Sequence, residues 1–207
     1  MPVAPTVSVK MLTYNHEAYV SSAVEGVLNQ VTNFDFELLI GDDSSTDDTA
    51  KIAAQYADVD PRVRLILRER NLGMHQNSLE LTQISRGKYI AWCEGDDCWT
   101  RTDKLQTTVD YLEANSGVGM VYTDYDREVV ASGSSEPMFL ETTGKNRNRA
   151  PNVDDILLGD AGIATCTVVA RSELVKLLTA ADPLLYSSGQ FLMGDTQLWA
   201  EIALKSE

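Results

Sequence analysis

Two adjacent carboxylates stand near the end of one short apolar run. Tyr89 to Cys93 has the composition of a buried strand, and Asp96 and Asp97 follow it after Glu94 and Gly95. Mg²⁺ and Mn²⁺ prefer oxygen ligands, and one or two carboxylates leave coordination positions free for the oxygens of a diphosphate. Asp and Gly are also common turn residues. The segment alone therefore allows both a metal site and a plain turn.

A second acidic turn follows the apolar run Phe36 to Gly41 and precedes a helical pattern. Ser45, Thr46 or Asp47 can accept hydrogen bonds from the first amides of that helix. Capping is the favoured interpretation for these three residues. Asp43 lies closer to the strand end, where binding to a base or ribose is favoured.

The first apolar run, Val7 to Thr13, is followed by Tyr14 and Asn15. A tyrosine ring can stack on a nucleobase, and a Thr or Asn side chain can hydrogen bond with the edge of the base. An Asn cap and a partly buried Tyr would explain the same residues without a ligand.

Three other polar residues are weaker candidates. His16 and His75 are the two histidines of the chain, and neither stands at metal-ligand spacing, so we do not predict a catalytic role for them. Asp195 follows Gly194 at the start of the last helical pattern, where a helix cap is the favoured local interpretation.

The elements that carry these residues alternate along the chain. Patterns typical of strands and of helices follow each other through the first 122 residues. The predicted strands are Val7–Thr13, Phe36–Gly41, Val63–Leu67, Tyr89–Cys93 and Gly119–Tyr122. The predicted helices are Tyr19–Leu28, Thr49–Tyr56, Asn77–Ile84 and Leu105–Leu112. This alternation predicts an α/β fold, with a mostly parallel twisted sheet, helices on both faces and a Rossmann-like nucleotide-binding half.

Such sheets bind nucleotides at the carboxyl ends of their strands. We therefore expect residues 13–15, 42–44 and 94–97 to lie along one edge of the sheet. Ser132 to Asn152 is predicted to be a long loop, because Gly, Ser, Thr and Asn dominate it without a sustained period. Beyond it, structure resumes at Val153–Leu158, Thr165–Ala170 is predicted to be a strand, and Ser172–Leu178 and Asp195–Leu204 are predicted to be helices.

Composition limits the function classes. The 207 residues carry a formal charge of −14, which disfavours a sequence-independent hold on nucleic acid, so a nucleotide would need a metal ion or backbone amides. The three cysteines lack zinc-site spacing and are expected to be buried, reduced thiols. No apolar run approaches the ~18 residues of a membrane span. These features predict a cytoplasmic protein without a span, although the chain stops directly after a helical pattern and can be part of a longer protein.

The joint pattern of these segments resembles family 2 glycosyltransferases, densely over about residues 5–125. The segments that carry the resemblance are residues 13–15, 17–20, 28–30, 36–40, 42–47, 71–73, 87–91, 94–99 and 104–106, followed by 165–171 and 194–199. One departure is visible at residues 74–77, where many members place an Arg or Lys and this chain has Met-His-Gln-Asn.

The resemblance implies a single GT-A catalytic domain with a nucleotide-sugar-binding half to about residue 125 and an acceptor-side half from about 126. It places Thr13, Tyr14, Asn15, Asp43 and Asp96 at the nucleotide sugar, Asp97 on a Mn²⁺ or Mg²⁺ ion, and Asp195 in the role of general base. The implied reaction is inverting transfer from a nucleoside-diphosphate sugar to a hydroxyl of a glycan, lipid-linked or other acceptor, in polysaccharide or glycoconjugate biosynthesis. The protein would be cytoplasmic or peripheral to the inner face of the membrane.

Three other functions share features with this sequence. A nucleotide-polymerising enzyme also uses neighbouring aspartates, but this acidic chain lacks a basic surface for a template. A dinucleotide dehydrogenase needs a Gly-x-Gly-x-x-Gly turn after the first strand, which residues 13–16 do not provide. A catalytically inactive nucleotide-sugar-binding domain of the same fold is the closest alternative, and the joint presence of Asp43, Asp96, Asp97 and Asp195 argues against it.

Overall fold

The computed structural model describes residues 4–129, 132–143, 151–188 and 194–206. The strands are β1 (Val7–Thr13), β2 (Phe36–Asp42), β3 (Val63–Leu67), β4 (Tyr89–Trp92), β5 (Met120–Val121), β6 (Arg127–Val129), β7 (Ser134–Glu136) and β8 (Val169–Arg171). The helices are α1 (Val20–Leu28), α2 (Thr49–Val59), α3 (Met74–Ile84), α4 (Lys104–Ala114), α5 (Phe139–Thr142), α6 (Val153–Leu157), α7 (Ser172–Ala181), α8 (Pro183–Ser187) and α9 (Gly194–Lys205).

Six strands form one sheet in the order β3-β2-β1-β4-β8-β5. The first four are parallel, and β8 runs antiparallel to β4 and β5. The carboxyl ends of β1, β2 and β4 meet at one edge, where the Asp43 amide donates to Thr13 O (2.9 Å) and the Gly95 amide to Leu12 O (2.9 Å). The expected common edge is therefore present.

Helices cover both faces, and the central strands are buried on both sides. Along β1, Val7, Val9 and Met11 point to the core shared with α1, α2 and α4. Along β4, Ile90 and Trp92 point to a second core built with α6, α7, α8 and α9. Burial on both faces is typical of parallel strands in α/β proteins, and it confirms the predicted layers.

The predicted strand Thr165–Ala170 is only half correct. Thr165–Thr167 forms a short 3₁₀ helix, and β8 begins at Val169. The turn is fixed by two contacts that the strand pattern does not reveal, since Trp99 Nε1 donates to Cys166 O (2.8 Å) and Thr165 Oγ1 donates to Asp195 Oδ2 (2.6 Å).

The predicted loop of residues 132–152 contains regular structure in its first part. Strand β7 pairs with β6 in a small hairpin, and α5 follows it. The hairpin strands are mostly exposed, so they lack the apolar alternation that would have predicted them. Residues 144–150 of this loop lie outside the described residues.

Two further expectations concern the state of the cysteines and membrane spans. All three cysteines are free thiols; Cys93 is buried as expected, whereas Cys98 is exposed and Cys166 half-buried. Within the described ranges, no helix combines the length and apolarity needed to cross a bilayer.

Candidate functional site

A cavity of about 720 Å³ lies at the carboxyl edge of β1, β2 and β4 and is bounded on the other side by α3 and α9. Six of the seven predicted site residues line it. They are Thr13, Tyr14, Asp43, Asp96, Asp97 and Asp195. These residues come from four separate segments of the chain, which the fold brings together. Their chemical roles remain predictions.

Asn15, the seventh predicted residue, is not among the residues that line the cavity. Its backbone is left-handed (φ 57°), its amide donates to Ser45 Oγ (3.0 Å), and its Oδ1 accepts from the Thr46 amide (2.8 Å). Asn15 thus ties the end of β1 to the turn after β2. In that turn Asp47 accepts from the Thr49 amide (3.0 Å), as expected for a residue that satisfies the start of α2.

Asp43 is only 4% exposed and makes two backbone contacts. Its carboxylate accepts from the amides of Leu72 (2.7 Å) and Gly73 (2.8 Å). It therefore holds the turn between β3 and α3, in which Gly73 is left-handed (φ 82°). Carboxylate oxygens can accept more than one hydrogen bond each, so this structural contact leaves room for a ligand contact.

The acidic turn after β4 packs closely against the end of β1. Asp96 is exposed, Asp97 is half-buried, and His16 Nε2 lies 4.0 Å from Asp96 Oδ2. A Cβ at Gly95 would stand 2.5 Å from Thr13 Cγ2 and 2.8 Å from His16 Nδ1. Only glycine allows this approach, which places both aspartates beside Thr13.

The electrostatics of the turn suit a divalent cation. Burial, and then the neighbouring Asp96, raises the pKa of Asp97, which also accepts from the Cys166 thiol. Burial, and then Asp97, raises the pKa of Glu94 to about 8. A cation would relieve this repulsion between carboxylates. In the described part of the chain, no three His, Cys, Asp or Glu residues form a ready metal site, so further ligands would have to come from substrate or water.

Asp195 lies in the first turn of α9 and faces the 3₁₀ helix. Its Oδ2 accepts from Thr165 Oγ1 (2.6 Å) and its Oδ1 from the Thr196 amide (2.8 Å). One oxygen thus contacts a first-turn amide of α9, as a capping residue would, and the other contacts the 3₁₀ helix. On the neighbouring wall, a Cβ at Gly194 would stand 2.8 Å from His75 Nδ1, so α3 and α9 nearly touch there.

The comparison with known families decides the assignment. Residues 8–168 match the sequence model of glycosyl transferase family 2. The chain belongs to this family. The family predicted from the residues is thereby confirmed.

Two relatives illustrate the range of the family. An uncharacterised protein of Mycobacterium tuberculosis is 34% identical over 168 residues, which cover 72% of this chain and 49% of the relative. Chondroitin synthase of Escherichia coli is 34% identical over 140 residues, covering 65% of this chain and 20% of the synthase. The chain thus spans about half the length of the mycobacterial relative.

Solved structures confirm the GT-A fold. TarS of S. aureus (residues 1–349) superimposes with a TM-score of 0.71 and 19% identity, covering 98% of this chain and 56% of that chain. A mannosyltransferase of Pyrobaculum calidifontis, solved with GDP-Man and Mn²⁺, gives a TM-score of 0.62 and 18% identity over 86% of this chain and 47% of that chain.

Sequence reasoning missed several residues that line the cavity of this family member. They are Lys10, His16, His75, Trp92, Glu94 and Trp199. Lys10 offered a signal, since it is a lysine within the otherwise apolar run of β1. Its Nζ donates to Ser78 Oγ (2.9 Å) and Thr82 Oγ1 (2.6 Å), and burial lowers its pKa to about 7.

Proposed function

We propose that the chain carries the donor-binding and catalytic part of an inverting glycosyltransferase that transfers a sugar from a nucleoside-diphosphate sugar to an acceptor hydroxyl. One observation carries the proposal: three separate segments bring the acidic side chains Asp43, Asp96, Asp97 and Asp195 to a single cavity at the carboxyl edge of the parallel strands, beside Thr13 and Tyr14. This is where open α/β sheets bind nucleotides. We retain the division into a donor half, to about residue 125, and an acceptor-side half, from about 126.

The nucleoside is placed by the ends of β1 and β2. Tyr14 is 44% exposed and lines the cavity, so its ring is available to stack on a base, and Asp43 and Thr13 lie beside it. Structural neighbours support this class of donor, because TarS has been solved with UDP and with UDP-GlcNAc and the mannosyltransferase with GDP-Man. Asn15 acts in this proposal by positioning the end of β1.

The diphosphate needs positive charge that the chain scarcely provides. Among the described residues that line the cavity, Lys10 is the single Lys or Arg, and its ammonium is engaged by Ser78 and Thr82. Asp97, with Asp96 beside it, would instead hold Mn²⁺ or Mg²⁺. The bound ion would neutralise the charge that develops on the departing nucleotide.

Asp195 is the proposed general base. Thr165 and the Thr196 amide fix both of its oxygens, so the carboxylate presents its remaining lone pairs to an acceptor hydroxyl in a defined direction. The hydroxyl attacks the sugar from the side opposite the nucleotide as its proton passes to Asp195. A single displacement of this kind inverts the configuration at the reacting carbon.

The biological setting follows from the relatives. Similarity to chondroitin synthase supports a role in polysaccharide or glycoconjugate synthesis, with a glycan or lipid-linked acceptor. The free thiols, one of them exposed, agree with the predicted cytoplasmic location, because disulfides form in oxidising compartments.

The test is calorimetry of UDP and GDP with and without Mn²⁺, followed by donor hydrolysis and transfer assays. We expect the preferred nucleotide to bind at least tenfold more tightly with Mn²⁺, and Asp97→Ala to remove most of that gain. Asp110→Ala, on the exposed side of α4, is the control and should keep the gain in nucleotide affinity that Mn²⁺ gives. Unchanged metal dependence in Asp97→Ala would exclude Asp97 from the site. Tight donor binding with no turnover on any acceptor would support the inactive-domain alternative.

A further inference from the structure

The 3₁₀ helix Thr165–Thr167 is held by two side chains from the segment that follows the acidic turn. The backbone hydrogen bonds of this helix use the two preceding carbonyls, so those of Cys166 and Thr167 take donors from elsewhere. Trp99 Nε1 donates to Cys166 O (2.8 Å), and Lys104 Nζ donates to Thr167 O (2.8 Å). The position of the 3₁₀ helix therefore depends on these two donors.

Trp99 and Lys104 are themselves held firmly. They are 7% and 9% exposed, and the Lys104 ammonium lies 4.9 Å from the centroid of the Trp99 ring. The backbone of Trp99 packs against Gly26 of α1, where a Cβ would stand 2.9 Å from Trp99 N. Because both donors are buried and packed, they can fix the helix that accepts from them.

The same 3₁₀ helix also holds the proposed base. Thr165 Oγ1 donates to Asp195 Oδ2 (2.6 Å), whereas Asp195 Oδ1 accepts from the amide of the next residue (2.8 Å). Within the described residues, the Thr165 hydroxyl is the one group from another segment that donates to this carboxylate. A displacement of the 3₁₀ helix would therefore move or release the carboxylate.

We propose that Trp99 and Lys104 are positioning residues for Asp195 and that they act through the 3₁₀ helix. Neither is among the described residues that line the cavity, so neither has to touch a ligand to affect the reaction. A misplacement of about 1 Å can lower turnover by about 100-fold, because the base, the attacking oxygen and the reacting carbon must be aligned. This proposal rests on the proposed function and adds to it the residues that set the position of the base relative to the acidic turn.

The test measures turnover and nucleotide affinity of folded variants. Turnover is the release of nucleotide from saturating UDP-glucose, UDP-GlcNAc, UDP-glucuronate or GDP-mannose in Mn²⁺, with water in the place of the acceptor hydroxyl. Affinity is measured by calorimetry of UDP and GDP in Mn²⁺. Trp99→Phe keeps an aromatic ring but removes the N–H donor, and Lys104→Met removes the other donor. We expect each to lower turnover, Trp99→Phe by about 10- to 100-fold, and to leave nucleotide affinity within about twofold.

Thr165→Val shows whether the effect passes through the 3₁₀ helix. It removes the contact with Asp195 directly, so turnover should fall at least as far as in Trp99→Phe. Combining the two substitutions should give turnover within about threefold of Thr165→Val alone, because residues that act through one contact are not additive. Thr165→Ser keeps the hydroxyl and should keep most of the turnover.

Thr108→Val is the matched control. Thr108 is a buried threonine of α4, and its hydroxyl donates to Lys104 O (2.8 Å) inside that helix. It is not among the described residues that line the cavity. The variant should keep turnover within about twofold of the wild type. A loss as large as that of Trp99→Phe would make the effect a general consequence of disturbing α4 and would overturn the proposal.

Three further outcomes would overturn the proposal. The first is a folded Trp99→Phe variant that keeps full turnover. The second is a loss of turnover that an equal loss of nucleotide affinity accompanies, since this would place the effect at the nucleotide. The third is a combination of Trp99→Phe with Thr165→Val in which the two losses multiply. A wild type that binds no nucleotide, or binds it and releases it from no donor, would instead overturn the proposed function.

Discussion

At the scale of single residues, the orientation of the Asp195 carboxylate is the most consequential detail. Thr165 donates to one oxygen and the Thr196 amide to the other, and the first turn of α9 adds a favourable dipole. The two hydrogen bonds fix the direction in which the carboxylate faces.

Asp195→Asn should separate chemistry from binding. The amide keeps the shape of the side chain but cannot take a proton, so turnover should fall by a factor of about 10² to 10⁴ while nucleotide and Mn²⁺ affinities stay within twofold. Steady-state transfer and calorimetry measure the two effects. Asp154→Asn, in the exposed first turn of α6, should change neither. Near-normal turnover of Asp195→Asn would leave Asp195 with a structural role.

Asp43→Ala should affect both stability and binding. Removing the carboxylate leaves the half-buried Leu72 amide without its acceptor, whereas the Gly73 amide keeps Asn71 Oδ1 (3.0 Å), so the loss in urea unfolding should be about 1–3 kcal/mol. Nucleotide affinity, measured well below the melting temperature, should also fall if Asp43 contacts the nucleoside. The exposed Asp35→Ala is the control. A destabilised variant with normal affinity would make Asp43 a clamp for the β3–α3 turn and nothing more.

At the scale of elements, α1 supports the acidic turn through a close backbone contact. Gly26 of α1 is buried, and a Cβ there would stand 2.9 Å from both the N and the O of Trp99. Trp99 follows Asp97 by two residues. The helix therefore sets the position of the turn without contributing a polar side chain to the cavity.

Gly26→Ala should destabilise the protein, although replacing a glycine by alanine inside a helix is usually stabilising. Alanine in place of glycine inside a helix normally stabilises by about 1 kcal/mol. Here the added methyl meets backbone that cannot rotate away, so we expect a net loss of about 1–3 kcal/mol and weaker metal-dependent nucleotide binding. Thermal and urea unfolding measure the first effect, and calorimetry the second. Ser22→Ala, on the exposed side of α1, is the control. A more stable Gly26→Ala protein would contradict the contact.

The sequence predicts the elements of the donor half well because their strands are apolar and their turns are polar. β1, β3 and the edge formed by residues 13, 43 and 95 follow from periodicity and turn chemistry alone. The 3₁₀ helix at Thr165 cannot be predicted in this way, because tertiary contacts fix it. The hairpin of β6 and β7 cannot be predicted either, because its exposed strands lack an alternation of apolar and polar residues.

The candidate site also contains some residues that the sequence could predict and others that it could not. Asp96 and Asp97 could be proposed because two adjacent carboxylates after an apolar run suit a hard cation. Lys10 and Glu94 could not be paired from the sequence, since their common cavity depends on how α3 and α9 pack against the sheet. The double contact of Asp43 with the β3–α3 turn was equally invisible.

At the scale of the whole molecule, the chain has a formal charge of −14, and the ligand that we propose for its cavity is also an anion. The negative electrostatic potential of the protein repels a free nucleotide. It repels a metal-bound nucleotide less, because the ion neutralises part of the phosphate charge. Within the cavity, buried groups of opposite sign have moved their pKa values towards neutrality. The stability of the fold should therefore depend on pH in an unusual way.

The free energy of unfolding should pass through a minimum near neutral pH. Burial raises the pKa of Glu94 from 4.5 to about 8, so the folded state holds an extra proton in that range and stability falls as pH rises through it. Burial lowers the pKa of Lys10 from 10.5 to about 7, so stability rises again from about pH 7 towards 10.5. Glu94→Gln should remove much of the fall below pH 8.

Urea unfolding from pH 5 to 10 in metal-free buffer provides the measurement. Glu113→Gln removes an exposed carboxylate paired with Lys88. This control variant should still lose unfolding free energy as the pH rises towards 8. A Glu94→Gln curve that parallels the wild type would show that the Glu94 carboxyl does not hold a proton at neutral pH in the folded state.

The edge-to-face pair of Trp92 and Trp199 gives the protein an optical property. The chain has three tryptophans, and these two line the cavity, while the third, Trp99, is tied by its indole nitrogen to Cys166 O. Indole emission responds to the polarity around the ring and to nearby charge, such as the Lys10 ammonium beside Trp92. Both rings are almost fully buried, so a divalent cation or a charged nucleotide bound in the cavity would act on them through its charge rather than by displacing solvent. Unlabelled protein should therefore report donor binding through its own ultraviolet fluorescence, with Trp99 as a constant background.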